Sequence, residues 1–226
     1  VPVGSSRARC GRIFLNPQSW AVISGVGDRG RLVQAMDAAH THLQTPVGLK
    51  LMAPGFSGWN LEPGKTPVGY GAGCGENGAI FCHANPWAVM AEALLGRGDR
   101  AWRIFTRLIP ANVIRAVGPR VYRAEPYAWV SNIVGPENPA FGWGNVTQIT
   151  GTAPWMDIAA TQYLLGVRPV LAGLRLAPCV PAAWEGFTVT RRFSGCQVAI
   201  SVAKDHSGDC RVRACLAGGK PLEPQA

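Results

Sequence analysis

Residues 76–87 read E-N-G-A-I-F-C-H-A-N-P-W, packing a carboxylate, an amide, an imidazole and a helix start into one short run. Asn85 followed by Pro86 is a helix-start signal. An Asn side chain accepts from the free N–H groups of a first turn, and proline suits the first helical position, where its missing N–H had no partner anyway. His83 and Glu76 are therefore expected just outside a helix N-terminus, where the macrodipole favours anions. That placement marks a candidate site, and the rest of the chain bears on what it would bind.

Toward the N-terminus, residues 45–80 are punctuated by Pro46, Pro54, Pro63 and Pro67, by glycines, and by the aromatics Phe56, Trp59 and Tyr70. A loop this long inside a compact domain is usually functional. Two phosphate-binding patterns within it fail. Gly64-Lys65-Thr66 looks like the end of a P-loop, but the opening glycine is missing and Trp59 stands near its place. Gly73-x-Gly75-x-x-Gly78 matches a dinucleotide fingerprint by letter alone, with no strand before it and no crossover unit after it. Before the loop, Asn16-Pro17 opens a short helix over residues 18–23, and Asp28 caps a longer one carrying Leu32, Val33, Met36, Ala39 and Leu43 at helical spacing. His40 and His42 on that helix are two apart and face different directions, so they cannot chelate one metal; both read as surface or packing histidines.

Toward the C-terminus, the helix opened by Asn85-Pro86 carries Val89, Met90, Ala93 and Leu94 and stops at Gly96. Asp99 caps its neighbour, with Trp102, Phe105 and Ile109 on one face and Pro110 closing it. Residues 110–149 read as irregular and aromatic-rich, with Tyr122, Tyr127, Trp129, Phe141 and Trp143. Thr150-Gly151-Thr152 then leads into a further capped helix over residues 153–165, ended by Gly166. Loops rich in polar and aromatic residues thus repeatedly feed a helix start containing Pro and Trp. Helical hairpins whose loops gather at one end suggest an α-helical toroid with its active face at those loops. After Pro169 the period changes to two, with strands at residues 174–176, 187–192, 197–202 and 211–216. The expectation is a mainly α unit over residues 1–168 and a small antiparallel β domain over residues 169–226.

Composition narrows the function. A chain of 226 residues, 47% hydrophobic and only 15% charged, is globular rather than disordered. The formal charge of +9 would suit an anionic partner, but no basic run or stripe accompanies it, which speaks against nucleic acid. Eight tryptophans either line a sugar cleft or anchor an ordinary core. The seven cysteines, at 10, 74, 82, 179, 196, 210 and 215, are odd in number and form no C-x-x-C. That argues against a zinc ribbon or a secreted disulfide framework and points to reduced thiols in the cytoplasm. No run of 18 apolar residues reads as a membrane span, and no signal peptide precedes the first helix. Because the chain opens on Val1 after no Met, it is expected to be a piece of something longer.

Six blocks carry a resemblance: G-R-I-F-L-N-P-Q-S-W-A-V-I-S-G (11–25), the opening stretch at 76–87, L-G-R-G-D-R-A-W (95–102), A-E-P-Y (124–127), I-T-G-T-A-P-W (149–155) and P-C-V-P-A-A-W-E-G-F-T-V-T-R (178–191). Their order and content resemble the C-terminal part of glycoside hydrolase family 94, the cellobiose phosphorylase group, across residues 12–202. The resemblance implies the C-terminal portion of an (α/α)6 barrel followed by a β domain. It implies inverting phosphorolysis of a β-glucoside to α-glucose 1-phosphate, with inorganic phosphate as co-substrate and no cofactor. By it, His83, Thr150 and Gly151 hold the phosphate, and Tyr70, Glu76, Glu125 and Lys65 lie on the sugar side. The physical chemistry agrees for the phosphate: a Thr150 hydroxyl, a Gly151 N–H and the following helix start form an anion cradle. His83 adds a charge-assisted donor.

Inversion with phosphate as nucleophile needs one carboxylic acid and no second carboxylate as base. In the family that acid is an Asp in a D-W-N-D-like motif, which does not occur in these residues. The chain is therefore expected to be a fragment or one member of a split protein, inactive alone and homodimeric in its full-length form. Three departures touch the acceptor and phosphate loops. Gly75 stands where relatives carry Lys, Ser131 where they often carry Gln, and W-G-N-V-T-Q precedes Ile149 where E-A-R-N-S-W is usual. The G-Y-G-A-G-C-G-E-N-G loop is similar to the cellobionic acid phosphorylase branch, in which Lys65 would pair with an acidic acceptor; otherwise it is a solvated lysine. Glu76 either serves the sugar or caps the helix or pairs with an Arg, and Glu125 and Tyr127 either line the cleft or brace the loop. Cys82 beside His83 is not read as a nucleophile, since adjacent residues seldom aim at one atom. A hydrolase on the same scaffold and a non-catalytic sugar-binding or structural piece are the rival functions.

Overall fold

The computed structural model describes residues 4–56, 69–148, 150–204 and 210–216. In chain order, strand β1 (Ile13–Phe14) leads directly into α1 (Leu15–Ser24), and α2 (Arg29–Leu43) follows. Asp28 caps α2 as its sequence implies, its Oδ1 accepting from the Arg31 N–H at 2.9 Å. Three two-residue strands come next, β2 (Gln44–Thr45), β3 (Gly48–Leu49) and β4 (Met52–Ala53), then β5 (Ile80–Phe81). A single 3-10 turn, Cys82–Ala84, joins β5 to α3 (Asn85–Leu94). Helices α4 (Gly98–Leu108), α5 (Pro110–Val117) and α6 (Pro119–Tyr122) precede strands β6 (Val130–Ile133) and β7 (Gly144–Thr147). Helix α7 (Thr152–Ile158) continues as a π-helical segment, Ala159–Leu164. Hairpin β8 (Val167–Val170) with β9 (Gly173–Leu176) and the meander β10 (Gly186–Phe193), β11 (Cys196–Lys204) and β12 (Cys210–Leu216) complete the described chain.

A mainly α chain, the C-terminal portion of an (α/α)6 barrel with strands confined to its end, is not what the structure has. Among the described residues helices and strands interleave, and the strands form five small antiparallel sheets. The reason lies in the loop segments. Spaced prolines and glycines forbid helix there, yet the chain runs through the interior, where its peptide groups need partners. Short ladders supply them: β1 with β4, β2 with β3, and the three-stranded sheet β5–β6–β7. The stretch at 110–149 is accordingly not irregular. Pro110 does not only close α4; it is the first residue of α5, where its missing N–H costs nothing.

Two other helix-start readings are corrected. Asn85 does not cap α3. It is fully buried, and its amide clasps the backbone of a neighbouring strand: Oδ1 accepts from the Leu49 N–H at 2.8 Å, and Nδ2 donates to the carbonyls of Leu49 and Phe81 at 3.0 Å each. Asp99 lies inside the first turn of α4, and its Oδ1 accepts from the Ala182 N–H at 2.9 Å. Both residues exchanged a local hydrogen bond for a long-range one.

Three apolar clusters result. Leu15, Met36, Leu43, Val89 and Ile104 pack α1 to α4 against the end of the α7 helix. Ile80, Leu108, Tyr122, Val130, Ile133 and Met156 fill the space beneath β5–β6–β7. Val167, Val198, Ile200 and Val202 form the core of the C-terminal strands.

Candidate functional site

The sheet β5–β6–β7 assembles the site. Phe81 pairs with Asn132, and Val130 pairs with Thr147, so β6 lies between the chain entering His83 and the chain approaching Thr150. Residues 67 apart in sequence thereby meet. His83 sits in the 3-10 turn, and its imidazole lies flat against the backbone of Gly151: a Cβ there would stand 2.8 Å from His83 Cε1 and 3.0 Å from Nδ1. Only a residue without a side chain lets the ring come so close. Thr150 Oγ1 accepts from the Thr152 N–H at 3.1 Å and is hydrogen-bonded to Thr152 Oγ1 at 2.7 Å. The hydroxyl thus closes the first turn of α7, beside the ring of His83 packed on Gly151.

His83 is half-buried, and burial holds its imidazolium below the ordinary histidine range. Neither ring nitrogen has a hydrogen-bond partner among the described residues. Instead the ring rests against Trp87 (centroids 4.9 Å apart, planes tilted 56°), with Trp155 at 6.4 Å. Neighbouring Cys82 is buried, and burial pushes its thiol far above the usual range, as an inert core cysteine requires.

The sugar-side candidates are placed separately. Glu76 is exposed at the tip of the turn from Cys74 to Asn77 and makes no contact with His83. It neither caps a helix nor pairs with an Arg among the described residues. Tyr70 is exposed, with its ring over Gly75: a Cβ on Gly75 would lie 2.8 Å from Tyr70 Cδ2. Buried Asn77 braces this loop, accepting from Phe56 N–H at 2.7 Å and donating to the Phe56 and Tyr70 carbonyls. Glu125 Oε1 accepts from Gln148 Nε2 at 3.4 Å, and its buried Oε2 has no hydrogen-bond partner among the described residues. Tyr127 is almost fully exposed. Lys65 lies outside the described residues, as does Trp59. Sequence reading missed the aromatic surround of His83, although the signal was present: Trp87 and Trp155 each directly follow a proline in a first helical turn, and Trp20 lies three residues after Pro17. It also missed Lys50, almost buried and paired through Nζ with Glu137.

The His83 imidazole, the Gly151 backbone next to Thr150 and the first turn of α7 lie together, groups of the kind that serve an oxyanion. The catalytic-domain profile of the glycosyl hydrolase 94 superfamily matches residues 1–166. This chain belongs to the glycosyl hydrolase 94 superfamily. Its superfamily relatives include the N,N'-diacetylchitobiose phosphorylase of Vibrio proteolyticus, 40% identical over 99% of this chain and 28% of that protein. The solabiose phosphorylase of Paenibacillus borealis is 32% identical over 97% of the chain and 28% of that protein. The cellobionic acid phosphorylase of Neurospora crassa is 26% identical over 94% of the chain and 27% of that protein. The chain therefore spans about a quarter of the length of these glycosyl hydrolase 94 relatives. Among the described residues, no group of three or more His, Cys, Asp or Glu side chains gathers as metal ligands would.

Proposed function

We propose that the chain supplies the phosphate-binding part of an inverting disaccharide phosphorylase. The observation that carries this reading is the His83 imidazole laid on Gly151 beside the Thr150 hydroxyl, at the start of α7. Inorganic phosphate seated there is oriented by His83, Thr150 and the Gly151 N–H. One of its oxygens attacks the anomeric carbon from the face opposite the leaving sugar. The glycosidic C–O bond breaks, a new C–O–P bond forms with inverted configuration, and a carboxylic acid delivers the proton to the departing oxygen. No residue of this chain is assigned that acid. Phosphate is the second substrate, no cofactor takes part, and the full-length protein works as a homodimer in the cytoplasm.

Tyr70, Glu76 and Glu125 serve the sugar, with Lys65 in the same loop. The acceptor is less closely matched to cellobionate than the loop at 70–78 implied. Identity is 40% to a diacetylchitobiose phosphorylase and 26% to a cellobionic acid phosphorylase. This difference supports a disaccharide of N-acetylhexosamine ahead of cellobiose or cellobionate, with the corresponding amino-sugar 1-phosphate as product. The test incubates the full-length protein with inorganic phosphate and each of the three disaccharides, scoring sugar 1-phosphate. Phosphate-dependent cleavage of at least one is expected. Release of free sugars at equal rate without phosphate would make the protein a hydrolase, and no cleavage at all would leave a non-catalytic sugar-binding role.

A further inference from the structure

We propose that Trp87 is a positioning residue for phosphate binding: it is the seat on which the His83 ring is oriented and its cationic form favoured. This rests on the assignment of His83 to phosphate.

Side chains that hold a catalytic or binding histidine usually do so by accepting from one ring nitrogen. His83 has no such partner, yet its ring is closely constrained. One side meets Gly151, and the Trp87 indole lies 4.9 Å from the ring centroid on another. Trp87 is itself braced edge-on from two directions, by Trp20 of α1 at 5.3 Å and 67° and by Trp155 of α7 at 5.7 Å and 83°. Side chains of α1 and α7 therefore hold one indole of α3 in place beside one imidazole. Held this way, both nitrogens stay free to donate to a ligand.

The chemistry of the seat also fits. Burial opposes a charge on His83, and an indole within about 6 Å is the aromatic face that best stabilises a cation. An imidazolium formed against an incoming phosphate has the Trp87 ring 4.9 Å away, centroid to centroid, within reach of a cation–aromatic attraction. Trp87 is a costly choice for mere filling. Its Nε1 is buried with no hydrogen-bond partner among the described residues, and stranding a donor lowers stability. Phenylalanine would fill much of the space without that penalty, but it offers a cation a weaker π face than the indole.

The experiment titrates the full-length protein with inorganic phosphate by calorimetry, with diacetylchitobiose as the comparison ligand, for Trp87→Phe, Trp87→Leu and His83→Asn. Melting temperatures are recorded alongside. Trp87→Phe is expected to melt no lower than the parent while weakening phosphate about threefold, and Trp87→Leu to weaken phosphate about tenfold, with disaccharide affinity within about twofold for both. If Trp87→Phe binds phosphate like the parent while His83→Asn binds it poorly, the seat has no role and the inference falls alone. Equal loss of both ligands in Trp87→Leu and Trp87→Phe would make Trp87 merely structural and also overturn it. If His83→Asn itself leaves phosphate affinity intact, the phosphate assignment fails first.

Discussion

At the scale of single residues, the close approach of His83 and Gly151 makes a sharp expectation. Gly151 has φ −75°, which alanine adopts without strain, so Gly151→Ala acts only through its methyl group. That methyl would stand 2.8 Å from a ring that cannot retreat past Trp87. Phosphate affinity should fall about tenfold, with melting temperature changed by no more than about 3 °C; phosphate titration and thermal melting check both. His83 also sets a pH dependence. Its imidazolium is held low by burial, and a phosphate bound there as proposed would raise it. Binding therefore takes up a proton, and affinity should weaken as pH rises from about 6 to 8. His83→Asn should leave only the slope due to phosphate's own second ionisation. For folding the sign is separate: the unfolded chain holds this proton more tightly, so the group costs stability below the ordinary histidine pKa and nothing above it. That His83, Thr150 and Gly151 stand at or beside helix starts was legible in the sequence, and the family resemblance singled them out for phosphate. Their mutual contact was not, because nothing in a sequence states which turn lies against which.

At the scale of elements, the Asn85 amide and the Glu92 carboxylate hold α3 in place. Asn85 binds both backbone groups of Leu49 and the carbonyl of Phe81. Asn85→Ala strands those groups in the interior and should cost about 2–3 kcal/mol in urea unfolding. Glu92 is fully buried; its Oε1 meets His40 Nε2 at 3.0 Å, and its Oε2 lies 3.6 Å from Arg97. Arg97 continues to Asp37, whose carboxyl is held below the usual range by hydrogen bonds from Arg97 and then Arg100. Glu92→Ala removes the partner of His40 and one of the two carboxylates facing Arg97, and should destabilise by about 3 kcal/mol. The depressed Asp37 carboxyl contributes stability above its unfolded pKa that is lost as pH falls through the folded one. His40 is accordingly a packing histidine, as its helical position implied. Period and capping residues located α2, α3 and the strands of the C-terminal meander. They did not reveal β5–β6–β7, since strands of two to four residues are too short to display a period.

At the scale of the whole molecule, the segment at 177–184 stitches the helices to the C-terminal strands. The Cys179 N–H donates to the Leu164 carbonyl, Asp99 accepts from Ala182, and Trp102 meets Trp184 edge-on at 5.1 Å. Gly98 lies directly beneath it, and a Cβ there would stand 2.3 Å from the Val180 carbonyl oxygen. Backbone on both sides cannot yield cheaply, so Gly98→Ala should cost about 2 kcal/mol or more, read as a lowered melting temperature. Trp184→Ala removes the aromatic contact and should cost about 3 kcal/mol. No helix among the described residues is long and apolar enough to cross a membrane.

The order of residues by itself located α2 and α3 and the change of period from helical to extended near residue 168, and it marked one run as the candidate site. Those features are local: a proline, a cap or a two-residue alternation acts on its own few neighbours. Only the tertiary structure decided that Asn85 and Asp99 serve distant backbone rather than their own helices, that loop segments pair into sheets, and that His83 rests between Gly151 and Trp87. Each of these settles a competition between a nearby hydrogen bond and a far one, and burial of the distant partner tips the balance.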